Sequence, residues 1–242
     1  MGLSHIHSGT VKKPRRCMLY AVEGIGKSTF ASLAPKPIFL PTEEGLNEID
    51  CASFPVATKL NQLFGYMADL IKEDHEYQTV VIDTLDWLER LIWDEVCEEN
   101  NKTNIEDIGY AKGYKFALTH WTRFLDGLEV LRKEKNMMII LLAHSSIEKF
   151  DDPERESYDR YCPRLHKHAS GMIREWCDEV LFACYEVDIK SEDAGFNKTT
   201  SKAKSQGRRV MRTTERASHM AKNRLSMADD MPFAWKSYAE YL

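Results

Sequence analysis

Two periods alternate in the placing of apolar residues along this chain. Short continuous runs stand at Cys17-Met18-Leu19-Tyr20, Pro37-Ile38-Phe39-Leu40, Thr79-Val80-Val81-Ile82 and Met137-Met138-Ile139-Ile140-Leu141-Leu142. Runs this short, bounded by polar or proline residues, predict strands buried on both faces, as in a parallel sheet. Between them the spacing turns helical. Leu60, Leu63, Phe64, Met67, Leu70 and Ile71 recur at i, i+3, i+4, i+7, i+10 and i+11. Leu85, Leu88, Leu91, Ile92 and Val96 make a second stripe, and Phe116, Trp121, Leu125, Leu128 and Leu131 a third. A polar, proline-marked stretch from Glu148 to Pro163 precedes a predicted helix around 168–177 and a strand over 179–185. A polar loop at 190–207 then leads to a last strand over 208–213. Alternation of this kind predicts an α/β fold with a mainly parallel central β-sheet flanked by helices. The leucine and aromatic stripes themselves read as core.

Composition narrows the class. A chain of 242 residues suits one large domain, expected over 14–226, with a flexible arm over 1–13 and a tail over 227–242. No apolar run approaches the ~20 residues needed to span a bilayer, and the first ten residues lack the apolar core of a signal peptide. The six cysteines are scattered without a Cys-x-x-Cys pair, as expected for reduced thiols in the cytoplasm. A net charge of −5 argues against a uniformly basic nucleic-acid binder. Charge is uneven, however: residues 69–107 hold 13 acidic and 3 basic side chains, whereas 198–224 hold 9 basic and 1 acidic. One face can therefore handle an anion, although solvated charge runs are common on surfaces.

Chemistry concentrates at predicted strand ends. After the first strand comes Ala21-Val22-Glu23-Gly24-Ile25-Gly26-Lys27-Ser28-Thr29, a strand–glycine loop–helix order that matches a phosphate-binding P-loop. There the backbone N–H groups cradle phosphates, Lys27 meets the β- and γ-phosphates, and Ser28 can ligate Mg²⁺. Asp83 closes Val80-Val81-Ile82-Asp83, the Walker B pattern that carries a carboxylate to the metal. Asp86 competes locally but is expected to face solvent. Glu43, or its neighbour Glu44, follows the second strand and is placed to activate water. A loop carboxylate before the Gly45 turn is the plainer alternative. His144 ends the strand after Asp83, where a polar group can contact the γ-phosphate.

In this order the motifs resemble the RecA/RadA-type ATPase core, and most closely the compact phage proteins of the Sak-type single-strand annealing group. The likeness covers roughly residues 14–226. It implies ATP and Mg²⁺ as cofactors, with a RecA-like P-loop core over that span. Glu43 would be the catalytic base and His144 the γ-phosphate sensor. Ala221-Lys222-Asn223-Arg224 is similar to the Lys-Asn-Arg element of RadA and DnaB-type relatives, which implies that Lys222 and Arg224 complete a neighbouring subunit's site in a ring or filament. The glycine usual after that element is absent, and a basic surface strand is the plainer reading. The likeness also implies single-stranded DNA as a partner, a single-stranded-DNA-binding protein as a further one, and a host bacterial cytoplasm. The loops facing DNA would be 100–116, with Lys112 and Lys115, and 149–168, with Arg155, Arg160, Arg164 and Lys167. Both interleave aromatics with cations, as single-strand binding requires. A DnaB-like ring motor, a small-molecule or nucleoside kinase, and a DNA-binding module that holds ATP without hydrolysing it are the rival readings.

Overall fold

The computed structural model describes residues 8–9, 12–193 and 199–242, without the side chains of 188–206. Its strands are β1 (Arg16–Ala21), β2 (Pro37–Pro41), β3 (Ala52–Ser53), β4 (Thr79–Asp83), β5 (Met138–Phe150), β6 (Tyr158–Pro163), β7 (Glu179–Asp193), β8 (Thr199–Arg212) and β9 (Asp230–Pro232). The helices are α1 (Lys27–Ser32), α2 (Leu60–Lys72), α3 (Leu85–Glu99), α4 (Lys112–Glu134), α5 (Lys167–Trp176) and α6 (Trp235–Ala239). The strands form one sheet in the order β3-β2-β4-β5-β1-β7-β8-β9, and β6 pairs with β5. From β3 to β7 all neighbours in that order are parallel. The fold is an α/β arrangement, a mostly parallel sheet flanked by helices.

Burial explains the continuous apolar runs. In β1, Met18 and Tyr20 face a core built with α2, α3, α4 and α5, while Cys17, Leu19 and Ala21 face a second core with α1. All five residues of β4 are buried. Sheet order puts β5 between the P-loop strand β1 and the Walker B strand β4, so β1 and β4 end, and β5 leaves the parallel sheet, at one edge.

Three expectations are corrected. The polar stretch 148–163 is largely a hairpin: β5 runs past the parallel sheet and pairs antiparallel with β6, from Ser145↔Pro163 to Phe150↔Tyr158. Aromatic partners set within the charged residues make that pairing, with the Phe150 and Tyr158 rings 5.4 Å apart. The loop placed at 190–207 is likewise mostly ladder, since β7 and β8 pair out to Asp193↔Thr199; residues 194–198 lie outside the described residues. Backbone groups make a ladder whatever the polarity of the side chains. Finally, 227–242 is not a free tail. Met227, Met231, Phe233 and Tyr238 are buried in the α1-side core. The Phe233 ring stacks on Phe30 at 5.0 Å, and the Tyr238 hydroxyl donates to buried Glu179, 3.3 Å. Of the arm over 1–13, residues 1–7 and 10–11 lie outside the described residues.

Candidate nucleotide site

β1 stops at Ala21, and the chain turns through Gly24 (φ 71°) and Gly26 (φ 101°) before α1 begins at Lys27. Both angles are costly for any residue with a Cβ. Lys27 is 7% exposed. Burial pulls its ammonium pKa down, while Asp83, Glu43, Asp86 and Glu23 push it back up. A nearly buried ammonium with no ion pair among the described residues suits an incoming phosphate.

Ser28 Oγ donates to Asp83 Oδ2 at 2.6 Å. Burial raises the Asp83 pKa and the Ser28 bond opposes it. These are hard oxygen donors from one carboxylate and one hydroxyl. They fit Mg²⁺, which takes few protein ligands and completes its shell with phosphate oxygens and water. Among the described residues no three His, Cys, Asp or Glu side chains cluster as a metal site, and a phosphate-bound Mg²⁺ does not require one.

The ends of β2 and β4 are clasped together. Thr42 N donates to Asp83 O at 2.8 Å, Thr42 Oγ1 to Thr84 O at 2.7 Å, and Thr84 N to Thr42 Oγ1 at 2.9 Å. Thr84 Oγ1 then donates to Glu43 Oε1, 2.8 Å, which turns Glu43 inward toward His144, 3.9 Å away. Glu44 is exposed. Neither threonine was anticipated from the sequence, where each stands as a hydroxyl beside a strand-end carboxylate.

His144 lies level with Ala21 in the β1–β5 ladder. Asp86, expected in solvent, is buried against it: Oδ1 accepts from His144 N at 3.0 Å, and Oδ2 lies 2.9 Å from Nδ1. The β4–β5 ladder ends at Asp83↔Leu142, so Asp86 takes an N–H that β4 does not reach. Burial pushes the Asp86 pKa up, but its bonds to His144 outweigh this and hold it below the usual carboxylate range. Gly24, Gly26, Lys27, Ser28, Glu43, Asp83 and His144 together line one cleft of about 350 Å³. A larger cleft of about 720 Å³, at Lys12, Lys36, Tyr77 and Lys135, contains none of them.

Other sequence candidates lie elsewhere. Lys222 Nζ donates to the carbonyls of Arg174, Glu175 and Cys177 at the end of α5, and Arg224 pairs with Asp178 at 3.1 Å. Asp178 N bonds Arg16 O where β1 begins, so both cations sit at the sheet edge opposite their own chain's cleft. Lys112 and Lys115 are exposed on the first turn of α4 rather than in a loop, and Arg155 and Lys167 are exposed. The other two DNA candidates, buried Arg160 and exposed Arg164, already have partners within the chain. Arg160 is buried, lies 4.5 Å over the Phe150 ring and faces Glu215 at 3.6 Å. Arg164 donates to Glu23 of the P-loop at 2.8 Å. In both cases the hairpin's folding gives the cation an internal partner.

The sequence of residues 13–225 matches the AAA_24 family, described as an AAA domain. The chain belongs to that family. This AAA_24 chain is similar to the SPbeta prophage-derived uncharacterized protein YorG of Bacillus subtilis (strain 168), 27% identical over 141 residues. That match takes in 54% of this chain and 41% of YorG, so the chain spans about two fifths of the curated relative's length. Among solved structures it is similar to the RadB recombinase, with a TM-score of 0.45 and 14% identity over 82% of this chain and 80% of that one. AAA_24 membership and the P-loop fold support nucleotide binding. Among the described residues no helix is long and apolar enough to cross a membrane.

Proposed function

We propose that this AAA_24 protein binds and hydrolyses ATP with Mg²⁺, and uses the bound nucleotide to control single-stranded DNA binding in annealing or recombination of phage DNA. The observation that carries this reading is the convergence of Lys27, Ser28, Asp83, Glu43 and His144 from four different segments on one cleft. Lys27 and the loop N–H groups grip the β- and γ-phosphates. Ser28 and Asp83 would hold Mg²⁺ beside the phosphates, where it would supply positive charge to offset that developing on the transferred group. Glu43, held by Thr84, takes the proton of the attacking water. His144, oriented by Asp86, meets the γ-phosphate from β5. The β5–β6 hairpin continues directly from His144, which gives the phosphate a mechanical route to a surface carrying Arg155 and the exposed Ile147.

Lys112, Lys115, Arg155 and Lys167 offer the phosphate contacts for single-stranded DNA. Such a partner makes affinity modest and salt-sensitive among so many neighbouring acids. Arg224, and Lys222 once released from α5, reach the cleft of a second copy, so the working unit is a homo-oligomer in the host cytoplasm. The prophage origin of YorG and the motif order of the annealing group support the phage setting.

Lys27→Ala abolishes nucleotide binding on this reading, and unchanged binding overturns it. ATP turnover with and without single-stranded DNA, beside a mass measurement with a non-hydrolysable analogue, tests the rest. DNA-stimulated turnover with multimerisation is expected; monomeric, DNA-indifferent turnover favours a small-molecule kinase instead.

A further inference from the structure

Arg209 reaches the P-loop from the side of the sheet opposite to the catalytic candidates. It stands in β8, beyond β7, whereas Glu43, Asp83 and His144 come from β2, β4 and β5. Its Nη1 donates to the carbonyl oxygen of Ile25 at 2.9 Å and lies 3.1 Å from where a Cβ would stand on Gly26. The guanidinium sits over the Phe233 ring, 5.9 Å from its centre, and Phe233 N donates to Arg209 O at 3.1 Å. Phe233 in turn stacks on Phe30 of α1 with its plane tilted by 8°. Loop and following helix are thus braced from one point.

The Ile25 carbonyl and the Gly26 N–H belong to one planar peptide and point in opposite directions. Holding the carbonyl toward Arg209 aims the N–H the other way, toward the cleft that Gly26 lines. Gly26 tolerates φ of either sign, so its own conformation does little to prevent this peptide from turning over. A turned peptide would set a carbonyl oxygen against the phosphates.

We propose that Arg209 is a positioning residue that locks the Ile25–Gly26 peptide with its N–H donating to a bound polyphosphate. This makes the β7–β8 hairpin part of the phosphate grip. The inference rests on the nucleotide reading of the cleft.

The test uses the full chain with Arg209→Ala and Arg209→Lys, titrated with ATP and with inorganic tripolyphosphate, beside thermal melting. Tenfold in affinity corresponds to about 1.4 kcal/mol, within reach of one hydrogen bond to a charged group. The Ala variant is therefore expected to bind both ligands about tenfold or more weakly, with its melting temperature little changed. The Lys variant, which keeps a donating cation, recovers part of the loss. Equal loss for the two ligands is the signature of action on the phosphate loop. Weaker ATP with unchanged tripolyphosphate would mean that Arg209 contacts the nucleoside instead, and overturns the inference. So would unchanged affinity for both, or a loss that merely follows a lowered melting point. If the Ala variant fails to fold, the Lys variant decides: equal weakening of both ligands with normal melting supports the brace, and unchanged affinity for both, or loss for ATP alone, overturns it. Failure of the unaltered protein to bind ATP removes the nucleotide reading itself, whereas binding that Arg209→Ala leaves intact removes only this inference.

Discussion

Lys27 and Asp83 illustrate how single side chains prepare this cleft. Each is ionisable, nearly excluded from water, and pushed by that exclusion toward its neutral form. A ligand that brings phosphate to one and a metal to the other relieves both at once. Glu43 is held beside them by Thr84, near His144, without being so deeply buried. Replacing Glu43 with Gln keeps the shape and the Thr84 contact but removes the proton acceptor. ATP binding should persist while phosphate release falls about 10²–10⁴-fold, the usual contribution of a general base; release at the normal rate would assign that role to Glu44 or to another group. Asp86→Ala strips His144 of its anchor and leaves a backbone N–H without its acceptor. The expected cost is about 1–3 kcal/mol of stability, measured by denaturant unfolding.

At the scale of elements, α5 and the C-terminal segment are tied to the core by buried groups. Glu89 of α3 is 5% exposed and accepts from His166 N, just before α5, at 2.9 and 3.1 Å. Burial raises its pKa to about 7, the His166 bond pulls the other way, and Asp86 adds to the rise. A carboxyl raised in the fold binds more protons there than in the unfolded chain, so its share of stability is complete in acid and lost as pH climbs through about 7. That share is on the order of 3 kcal/mol. Unfolding midpoints at pH 5 and pH 8 should therefore differ less in Glu89→Gln than in the parent; an identical pH dependence would show that Glu89 titrates normally. Phe233 holds the last segment against α1 through Phe30. Phe233→Ala should lower stability by about 3–5 kcal/mol. Calorimetry can check this, and a loss well under 1 kcal/mol would mean that the C-terminal segment is not bound to the core.

For the whole molecule, the sheet separates two edges. The cleft opens where β1 and β4 end and β5 leaves the parallel sheet, and Arg224 sits where β1 and β7 begin. On the proposed function, a cation so placed reaches a cleft only from another copy. Glu43→Gln and Arg224→Ala proteins, each inactive alone, should regain ATP turnover when mixed, because some interfaces then pair an intact cleft with an intact arginine. Mixtures that stay inactive would confine Arg224 to its pair with Asp178. Lys222 is the weaker candidate for this role, since leaving α5 breaks three hydrogen bonds to carbonyls.

The parallel strands other than the two-residue β3, the four long helices and the P-loop were legible in the sequence because each is written in neighbouring residues: a run, a period, a glycine spacing. Polar hairpins were not, since a strand whose side chains are charged on both faces has no apolar period to betray it. Local order alone determined that this is a P-loop α/β protein and which strand-end residues line one cleft. Tertiary structure alone decided that Asp86 turns inward to His144, 58 residues away, that Arg164 is bound to Glu23, and that Arg209 meets Ile25 across 184 residues. Those contacts depend on which strands become neighbours in the sheet. That order follows from how helices cover both its faces, a property of the assembled core that no short stretch of the chain contains.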